Sequence, residues 1–314
     1  MTCGIAGIVL PEPGSVGHLL TEMLDAMQHR GPDSAGYGIY RDTDSTILVL
    51  ELSADEERDL LSSVEHCLGP DRKVTKVERL TEDGGTVVYR VFVKGIPAGE
   101  EGQRELAEVT RKIEDEAGIT VLSAGQGFEI LKDVGKAVEV SSQYGVEDLT
   151  GTHGIGHVRF STESVVDRYH AHPFQSYLVP NIAVVHNGQI TNYYSIRELL
   201  EMKGYKFKTD NDSECIVVYI ADKLMNGYSL EEAMEEAIRE LDGPFCFIIS
   251  TPDAIAVARD PLGLRPGVIG YGKDGTIGIS SEEVALRRIF GEEIEGISQI
   301  EPGEYEVFEV GGRR

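Results

Sequence analysis

The first ten residues, "MTCGIAGIVL" (1–10), put Cys3 directly before an apolar run with the length and composition of a buried β-strand. Removal of Met1 and Thr2 would give Cys3 a free α-amino group. Such an amine has a pKa of about 8 and can therefore act as a base at neutral pH. Nucleophile and base would then belong to one residue. The alternative, a small buried cysteine, stays open until partner residues are found elsewhere in the chain.

The apolar pattern after this strand predicts helices and antiparallel strands in separate blocks. Helices at about residues 195–203, 212–227 and 229–241 precede five short strands separated by turn residues. The pairs Ser195–Glu198 and Ser229–Glu232 match the capping-box pattern of helix starts. Each sheet face and each apolar helix face must be covered. We therefore expect an α+β fold, a four-layer αββα sandwich in which helices lie outside two stacked antiparallel sheets.

Residues 51–150 differ from the sequence on either side in their charge pattern and predicted elements. Charged helical stretches at 54–67 and 103–116 flank a hairpin around "EDGG" (82–85). We interpret 51–150 as an inserted α/β subdomain within one domain that covers residues 1–314.

The charge of the chain limits its partners. A formal net charge of −25 and a pI near 4.7 disfavour nucleic acid and anionic membranes. The acidity fits either a salty cytoplasm or simple solubility. No apolar run reaches the roughly 20 residues of a membrane span, and the start does not resemble a signal peptide, so we expect a cytoplasmic protein.

The cysteines give no sign of a metal centre or a disulfide framework. Cys3, Cys67, Cys215 and Cys246 are scattered without CxxC pairs. We therefore predict no metal site and no cofactor in this chain. Cys67, Cys215 and Cys246 are expected to fill small apolar spaces in the core.

Two polar stretches are candidates for partners of Cys3. "HRGPDSAG" (29–36) follows a helix and is more polar than a simple helix stop requires. "GIGHVRFST" (154–162) places Arg159 in an otherwise apolar strand, where a buried guanidinium needs a carboxylate partner. That carboxylate could belong to a protein Glu or to a substrate.

Two further stretches contain residues that could contact a charged group of a substrate. In "AVVHNGQITNY" (183–193) a strand ends in Asn187-Gly188, which suits either a hairpin turn or two donors facing an oxyanion. In "NDSE" (211–214), Asp212 at a helix start could cap the helix or bind an ammonium group.

The order of these motifs resembles the class II glutamine amidotransferases, whose glutaminase domain has the N-terminal nucleophile hydrolase fold. The resemblance covers nearly the whole chain except residues 51–150. It is carried by "CGIAG" (3–7), "HRGPDSAG", "GIGHVRFST", "AHP" (171–173), "VHNGQITNY" (185–193), "NDSE", "LDGPFCFII" (241–249), "ARDPLGLRP" (258–266), "ISSEEVAL" (279–286) and "IEPGEYEVF" (300–308).

The resemblance implies a role for each matching position. Cys3 would attack the side-chain amide of L-glutamine and form a γ-glutamyl thioester, with Asn187 and Gly188 as the oxyanion hole. Arg159 would bind the substrate α-carboxylate and Asp212 its α-ammonium group. The remaining implied site residues are Thr162 and His172, which would line the pocket, and Arg30 and Gly31, which would hold the loop beside the new N-terminus.

The N-terminus departs from the family pattern, because the family cysteine commonly follows the start methionine directly and Thr2 intervenes here. Either a further cleavage frees Cys3, or the true start differs, or the glutaminase is inactive. In the last case the chain would be a non-catalytic glutamine-binding regulatory subunit. An amidase acting on another amide is disfavoured by Arg159 and Asp212, which suit the two ends of an amino acid.

Within the family, the chain looks most like the stand-alone amidotransferase subunit of archaeal-type glutamate synthase. A related subunit serves methylamine-glutamate N-methyltransferase, so 2-oxoglutarate or an amine remains open as the acceptor. The resemblance implies two partner chains, an FMN-binding synthase subunit and a glycine-repeat β-helix subunit. It also allows an iron–sulfur cluster in a partner.

Overall fold

The computed structural model describes residues 3–161 and 165–311. The strands are β1 Gly4–Gly14, β2 Ser34–Tyr40, β3 Thr46–Ser53, β4 Lys73–Asp83, β5 Thr86–Lys94, β6 Thr120–Gln126, β7 Phe128–Val134, β8 Gly151–Arg159, β9 Phe174–Gln175, β10 Ala183–Gly188, β11 Phe245–Ser250, β12 Ala254–Arg259, β13 Val268–Gly272, β14 Ile277–Ser280, β15 Ile294–Gln299 and β16 Tyr305–Glu309. The helices are α1 Val16–Ala26, α2 Leu60–Leu68, α3 Gly99–Ala117, α4 Ala137–Tyr144, α5 Tyr193–Met202, α6 Asp212–Met225, α7 Leu230–Glu240 and α8 Glu283–Phe290. Across these ranges, no helix is both long and apolar enough to cross a bilayer.

Two antiparallel sheets form the centre of the molecule. One has seven strands in the order β15-β13-β14-β1-β8-β2-β7, and the other has five in the order β16-β12-β11-β10-β9. Helices α1, α4 and α8 pack on the outer face of the larger sheet. Helices α5, α6 and α7 pack on the outer face of the smaller sheet.

Strand alternation assigns each side chain of β1 to a layer. Ile5 and Val9 belong to the apolar layer between the two sheets, whereas Ala6 and Ile8 face the outer helices. Successive side chains of a strand point to opposite faces, so a continuously apolar strand must be covered on both sides. The predicted αββα sandwich is confirmed.

A third sheet explains the charged middle of the sequence. Strands β4-β5-β3-β6 form it, and α2 and α3 cover one of its faces with an apolar core of their own. This separate sheet extends over 46–126, whereas the sequence suggested an insertion at 51–150. Strand β7 and helix α4 belong to the main body, because β7 pairs with β2 in the seven-stranded sheet. That pairing is long-range and leaves no local sign in the sequence.

The helix caps differ partly from the sequence prediction. The capping box of Ser229 and Glu232 is confirmed at the start of α7. The proposed box at Ser195 is wrong, because α5 already begins at Tyr193 and has no side-chain cap. The preceding Asn192 uses its side chain elsewhere, in hydrogen bonds to the backbone around residues 240–242.

Candidate functional site

Strand register places Cys3 beside the end of β8. Gly4 pairs with Val158, so Cys3, one residue earlier, lies level with Arg159. The Cys3 sulfur accepts a hydrogen bond from the Phe160 amide at 3.4 Å and lies 3.6 Å from the Phe160 carbonyl oxygen. The nucleophile candidate is therefore held against β8 by backbone groups.

The environment of Cys3 keeps its thiol protonated. Burial raises the pKa of Cys3, while the Phe160 backbone and the charges of Arg159 and Arg30 oppose this increase. A protonated thiol is a weak nucleophile, so attack on an amide needs a base that removes the proton. The backbone groups that contact the sulfur cannot do this. An α-amine on the same residue could.

Arg30 contacts the residue before β1, and Gly31 packs on the end of β8. The Arg30 Nε donates to the Cys3 carbonyl oxygen at 2.9 Å, and its guanidinium also forms an ion pair with Glu282. Gly31 packs so closely on β8 that a Cβ atom would lie 2.4 Å from the Val158 carbonyl. Through Arg30, the loop therefore contacts the backbone of Cys3.

Sequence reasoning missed Glu282, although "ISSEEVAL" was among the matching stretches. Burial would raise the pKa of Glu282, but the hydrogen bond and charge of Arg30 outweigh burial and lower it. Glu282 thus stays ionised and fixes the guanidinium against Cys3. Asp33 was also missed: its carboxylate accepts from the Ser161 amide at 2.7 Å, and its own N–H donates to the Arg159 carbonyl at 3.0 Å.

Arg159 lies at the end of β8 with only 3% of its surface exposed. Its Nη1 donates to the carbonyl oxygen of Val165 at 3.0 Å. Burial lowers the pKa of Arg159, and the nearby Cys3, Asp167 and Asp33 partly offset this effect. A substrate carboxylate would add a compensating charge directly at this buried cation.

Asn187 and Gly188 end β10, and they do not form the hairpin that was the alternative. The chain continues into α5, and β10 pairs with β9 and β11. Asn187 is 1% exposed, and its Nδ2 has no hydrogen-bond partner among the described residues. Gly188 has φ of 140°, and a Cβ there would lie 2.0 Å from the Pro244 carbonyl oxygen.

A histidine contact brings the ends of β8 and β10 together across the two sheets. The His157 Nε2 lies 3.0 Å from the His186 carbonyl oxygen, which can only accept, so Nε2 carries the proton. Arg159 follows His157 by two residues, and Asn187 follows His186 by one. Cys3, Arg159 and Asn187 therefore lie at the same edge of the sandwich.

His172 lies behind this edge. It is 5% exposed, its ring centroid is 4.0 Å from that of His157, and neither ring nitrogen has a partner among the described residues. Burial lowers the pKa of His172 far below its ordinary value, and it lowers the pKa of His157 to about 3. Both rings are neutral near pH 7 and form an uncharged wall.

Asp212 is the first residue of α6, but it is not the cap. Asn211 caps the helix by accepting from the Ser213 amide at 2.9 Å. The Asp212 carboxylate instead accepts from the Ile190 amide at 2.9 Å and lies 3.7 Å from the Nδ1 of His186. Burial would raise the pKa of Asp212, but His186 and these hydrogen bonds lower it. Asp212 thus remains an anion just beyond the end of β10.

The other predictions concern Thr162, the three remaining cysteines and metal binding. Thr162 lies outside the described residues. Cys67, Cys215 and Cys246 are buried free thiols, as expected for small apolar positions. Within 3–161 and 165–311, no group of three or more His, Cys, Asp or Glu side chains is arranged to hold a metal ion.

Comparisons with known proteins agree with this geometry. A family model described as a glutamine amidotransferase domain matches residues 157–288. A Methanothermobacter thermautotrophicus protein, provisionally named a glutamine amidotransferase, is 44% identical over 98% of this chain and 100% of its own length. The glutamine amidotransferase-like protein GlxB of Rhizobium meliloti is 34% identical over 90% of each chain.

A solved structure supports the fold alone. Glutamine phosphoribosylpyrophosphate amidotransferase from B. subtilis superposes with a TM-score of 0.61 over 98% of this chain, at 21% identity. The match covers 47% of that enzyme's chain.

Proposed function

This chain belongs to the class II glutamine amidotransferase family, and we propose that it is a glutaminase subunit that converts L-glutamine to glutamate and ammonia for a partner synthase. The observation that carries the proposal is the buried Asn187 Nδ2, which has no hydrogen-bond partner among the described residues and lies at the same sandwich edge as the Cys3 thiol. An orphaned buried donor is costly in the free protein. An oxyanion formed during the reaction would satisfy it.

The proposed reaction uses Cys3 as both nucleophile and base. The α-amine of a mature Cys3 takes the thiol proton, and the sulfur attacks the side-chain amide carbon of glutamine. When the tetrahedral intermediate collapses, the amine returns this proton to the leaving nitrogen, and ammonia departs. Water then cleaves the thioester: the amine takes a proton from the water, and the released thiolate is protonated.

Asn187 and Gly188 are proposed to stabilise the charge that develops on the carbonyl oxygen. The Asn187 Nδ2 and the backbone N–H of Gly188 are the two candidate donors. A donor that is already oriented needs no reorganisation during the reaction, and water-excluded surroundings strengthen its effect. The burial of Asn187 and the constrained backbone of Gly188 support this role.

The two charged ends of glutamine are proposed to bind on either side of this centre. Arg159 would bind the α-carboxylate and Asp212 the α-ammonium group, while Thr162 and His172 line the pocket. Arg30 and Gly31 act indirectly, by holding the backbone of Cys3. The ion pair with Glu282 supports this role for Arg30.

The decisive experiment combines N-terminal mass analysis with a glutaminase assay. We expect active protein to begin at Cys3 and the Cys3→Ala variant to lose glutaminase activity. Turnover by protein that still carries Thr2, or full activity in Cys3→Ala, would contradict the mechanism. Glutamine binding without ammonia release by protein that starts at Cys3 would favour a non-catalytic regulatory subunit.

We further propose that the partner is a glutamate synthase with an FMN-binding subunit and a glycine-repeat β-helix subunit, and that an iron–sulfur cluster belongs to a partner chain. The support is the sequence resemblance described above. The amidotransferase subunit of methylamine-glutamate N-methyltransferase is the alternative within the family. Affinity purification from native extract tests this: a flavoprotein that makes glutamate from 2-oxoglutarate supports the first assignment, and one that acts on methylamine supports the second.

A further inference from the structure

The segment at residues 165–173 connects the proposed glutamine site to the rest of the molecule. Its first residue, Val165, supplies the carbonyl oxygen that accepts from the Arg159 guanidinium at 3.0 Å. Near its end lies His172, which the proposed function places in the wall of the glutamine pocket. The position of this segment therefore determines the position of two residues to which the proposed function assigns substrate contacts.

A buried arginine anchors the segment from behind. Arg168 is 9% exposed, and its guanidinium contacts Asp133 at 2.7 Å and Glu51 at 3.1 Å. The hydroxyl of Tyr169 donates to the other carboxylate oxygen of Glu51 at 3.0 Å. Glu51 thus holds two consecutive residues of the segment.

The two carboxylates that bind Arg168 come from different sheets. Asp133 lies on β7 of the main seven-stranded sheet, whereas Glu51 lies on β3 of the separate four-stranded sheet. In β3, Leu48 and Leu50 face α2 and α3, so Glu51 points to the opposite side, toward the main body. A charge at such a position is unusual, because a buried carboxylate is unfavourable unless it is paired.

We propose that Glu51 and Arg168 are positioning residues for glutamine binding, through which the inserted subdomain supports the Arg159 side of the site. This inference rests on the proposed glutaminase function. On this proposal the inserted subdomain contributes to the substrate site. It supplies one of the two anions that fix the segment carrying Val165 and His172.

The chain offers a matched control for this proposal. Glu129 on β7 is fully buried and binds two arginines, Arg41 at 3.0 Å and Arg90 at 2.6 Å. Arg90 lies on β5, so this cluster also joins the main body to the inserted sheet. Among the described residues, the ion-pair partners of Glu129 are these two arginines, and neither lies in 165–173. Loss of its charge should weaken the same junction without moving the segment.

The test compares steady-state glutaminase kinetics of the full chain with those of Glu51→Gln and Glu129→Gln. We expect Glu51→Gln to raise the glutamine KM about tenfold, the effect of losing roughly one charge-assisted contact, with kcat changed less than about threefold. Glu129→Gln should lower the melting temperature and leave KM unchanged. A purely structural role for Glu51 would lower the melting temperature without a selective rise in KM.

A milder variant keeps the test valid if Glu51→Gln does not fold. Tyr169→Phe removes only the hydroxyl that donates to Glu51, from a side chain that is 45% exposed. We expect a smaller rise in KM, of about threefold. Unchanged KM in Tyr169→Phe and Glu51→Gln, or an equal rise in Glu129→Gln, would overturn the inference alone. A wild-type chain starting at Cys3 that neither binds glutamine in calorimetry nor hydrolyses it would overturn the proposed function as well.

Discussion

Replacement of Asn187 by alanine should separate catalysis from stability. A buried donor without a partner costs about 1–3 kcal/mol in the folded protein, and Asn187→Ala removes the Nδ2 that lacks a partner among the described residues. The shorter side chain leaves a small cavity, whose cost acts in the opposite direction. The free energy of unfolding should therefore change by less than about 1 kcal/mol.

The effect on turnover should be much larger. Loss of one oxyanion donor typically lowers kcat by about 10²–10³, or roughly 2.7–4 kcal/mol of transition-state stabilisation. Because this interaction is made only in the transition state, KM for glutamine should change little. The assay is steady-state ammonia release by protein that begins at Cys3, with thermal unfolding measured on the same samples.

Asn181→Ala is the appropriate control. Asn181 is also buried, but its Oδ1 accepts a hydrogen bond from the Gln126 amide at 2.9 Å. Its truncation leaves a donor unpaired and should lower stability by about 1–3 kcal/mol while kcat remains unchanged. The reasoning is refuted if Asn187→Ala keeps kcat within about threefold of wild type, or if it destabilises the fold as much as Asn181→Ala does.

Three further perturbations have calculable directions. Arg159→Lys keeps the positive charge but loses the planar fork, so the glutamine KM should rise by about tenfold or more, and an unchanged KM would exclude a carboxylate contact. Gly31→Ala places a methyl group 2.4 Å from the Val158 carbonyl, so both the melting temperature and kcat should fall. In the control Gly296→Ala, no atom lies within 4 Å of the added Cβ, so both quantities should change little. Burial lowers the pKa of His153 to about 4, whereas histidine in an unfolded chain has a pKa near 6.5. Between these pH values the unfolded state binds more protons than the folded state. The free energy of unfolding should therefore fall as the pH drops from 6.5 to 4, by about 3 kcal/mol in total. Urea unfolding of His153→Gln should show a correspondingly weaker loss over that pH range, and identical slopes in both proteins would contradict this account.

Local sequence patterns were sufficient to predict the layers of the fold. The apolar strand after Cys3 implied cover on both faces, and the capping box at Ser229 located α7. The bounds of the four-stranded sheet could not be predicted from local sequence patterns. Strand β7 has the same apolar character as its neighbours in the chain, and only its pairing with β2, distant in sequence, assigns it to the main body.

The sequence suggested candidate site residues where their motifs are contiguous, as for Cys3, Arg159 and Asn187. Glu282 and Glu51 were missed because their roles depend on contacts with residues far away in the sequence. A single glutamate among 54 acidic residues carries no local signal of such a contact. Burial and partner geometry are needed to identify it.

The charges next to Cys3 are opposite in sign to the net charge of the chain. The net charge is −25, yet the Cys3 thiol lies beside the cations Arg30 and Arg159. Burial lowers the pKa of Arg159, and the compensation from Cys3, Asp167 and Asp33 offsets this effect only in part. An α-carboxylate bound there would improve this compensation and weaken the cationic field that favours the thiolate. Substrate binding would therefore make the thiol harder to ionise, so the mechanism needs a base that stays next to the sulfur in the complex, and the amine of Cys3 is covalently held in that position.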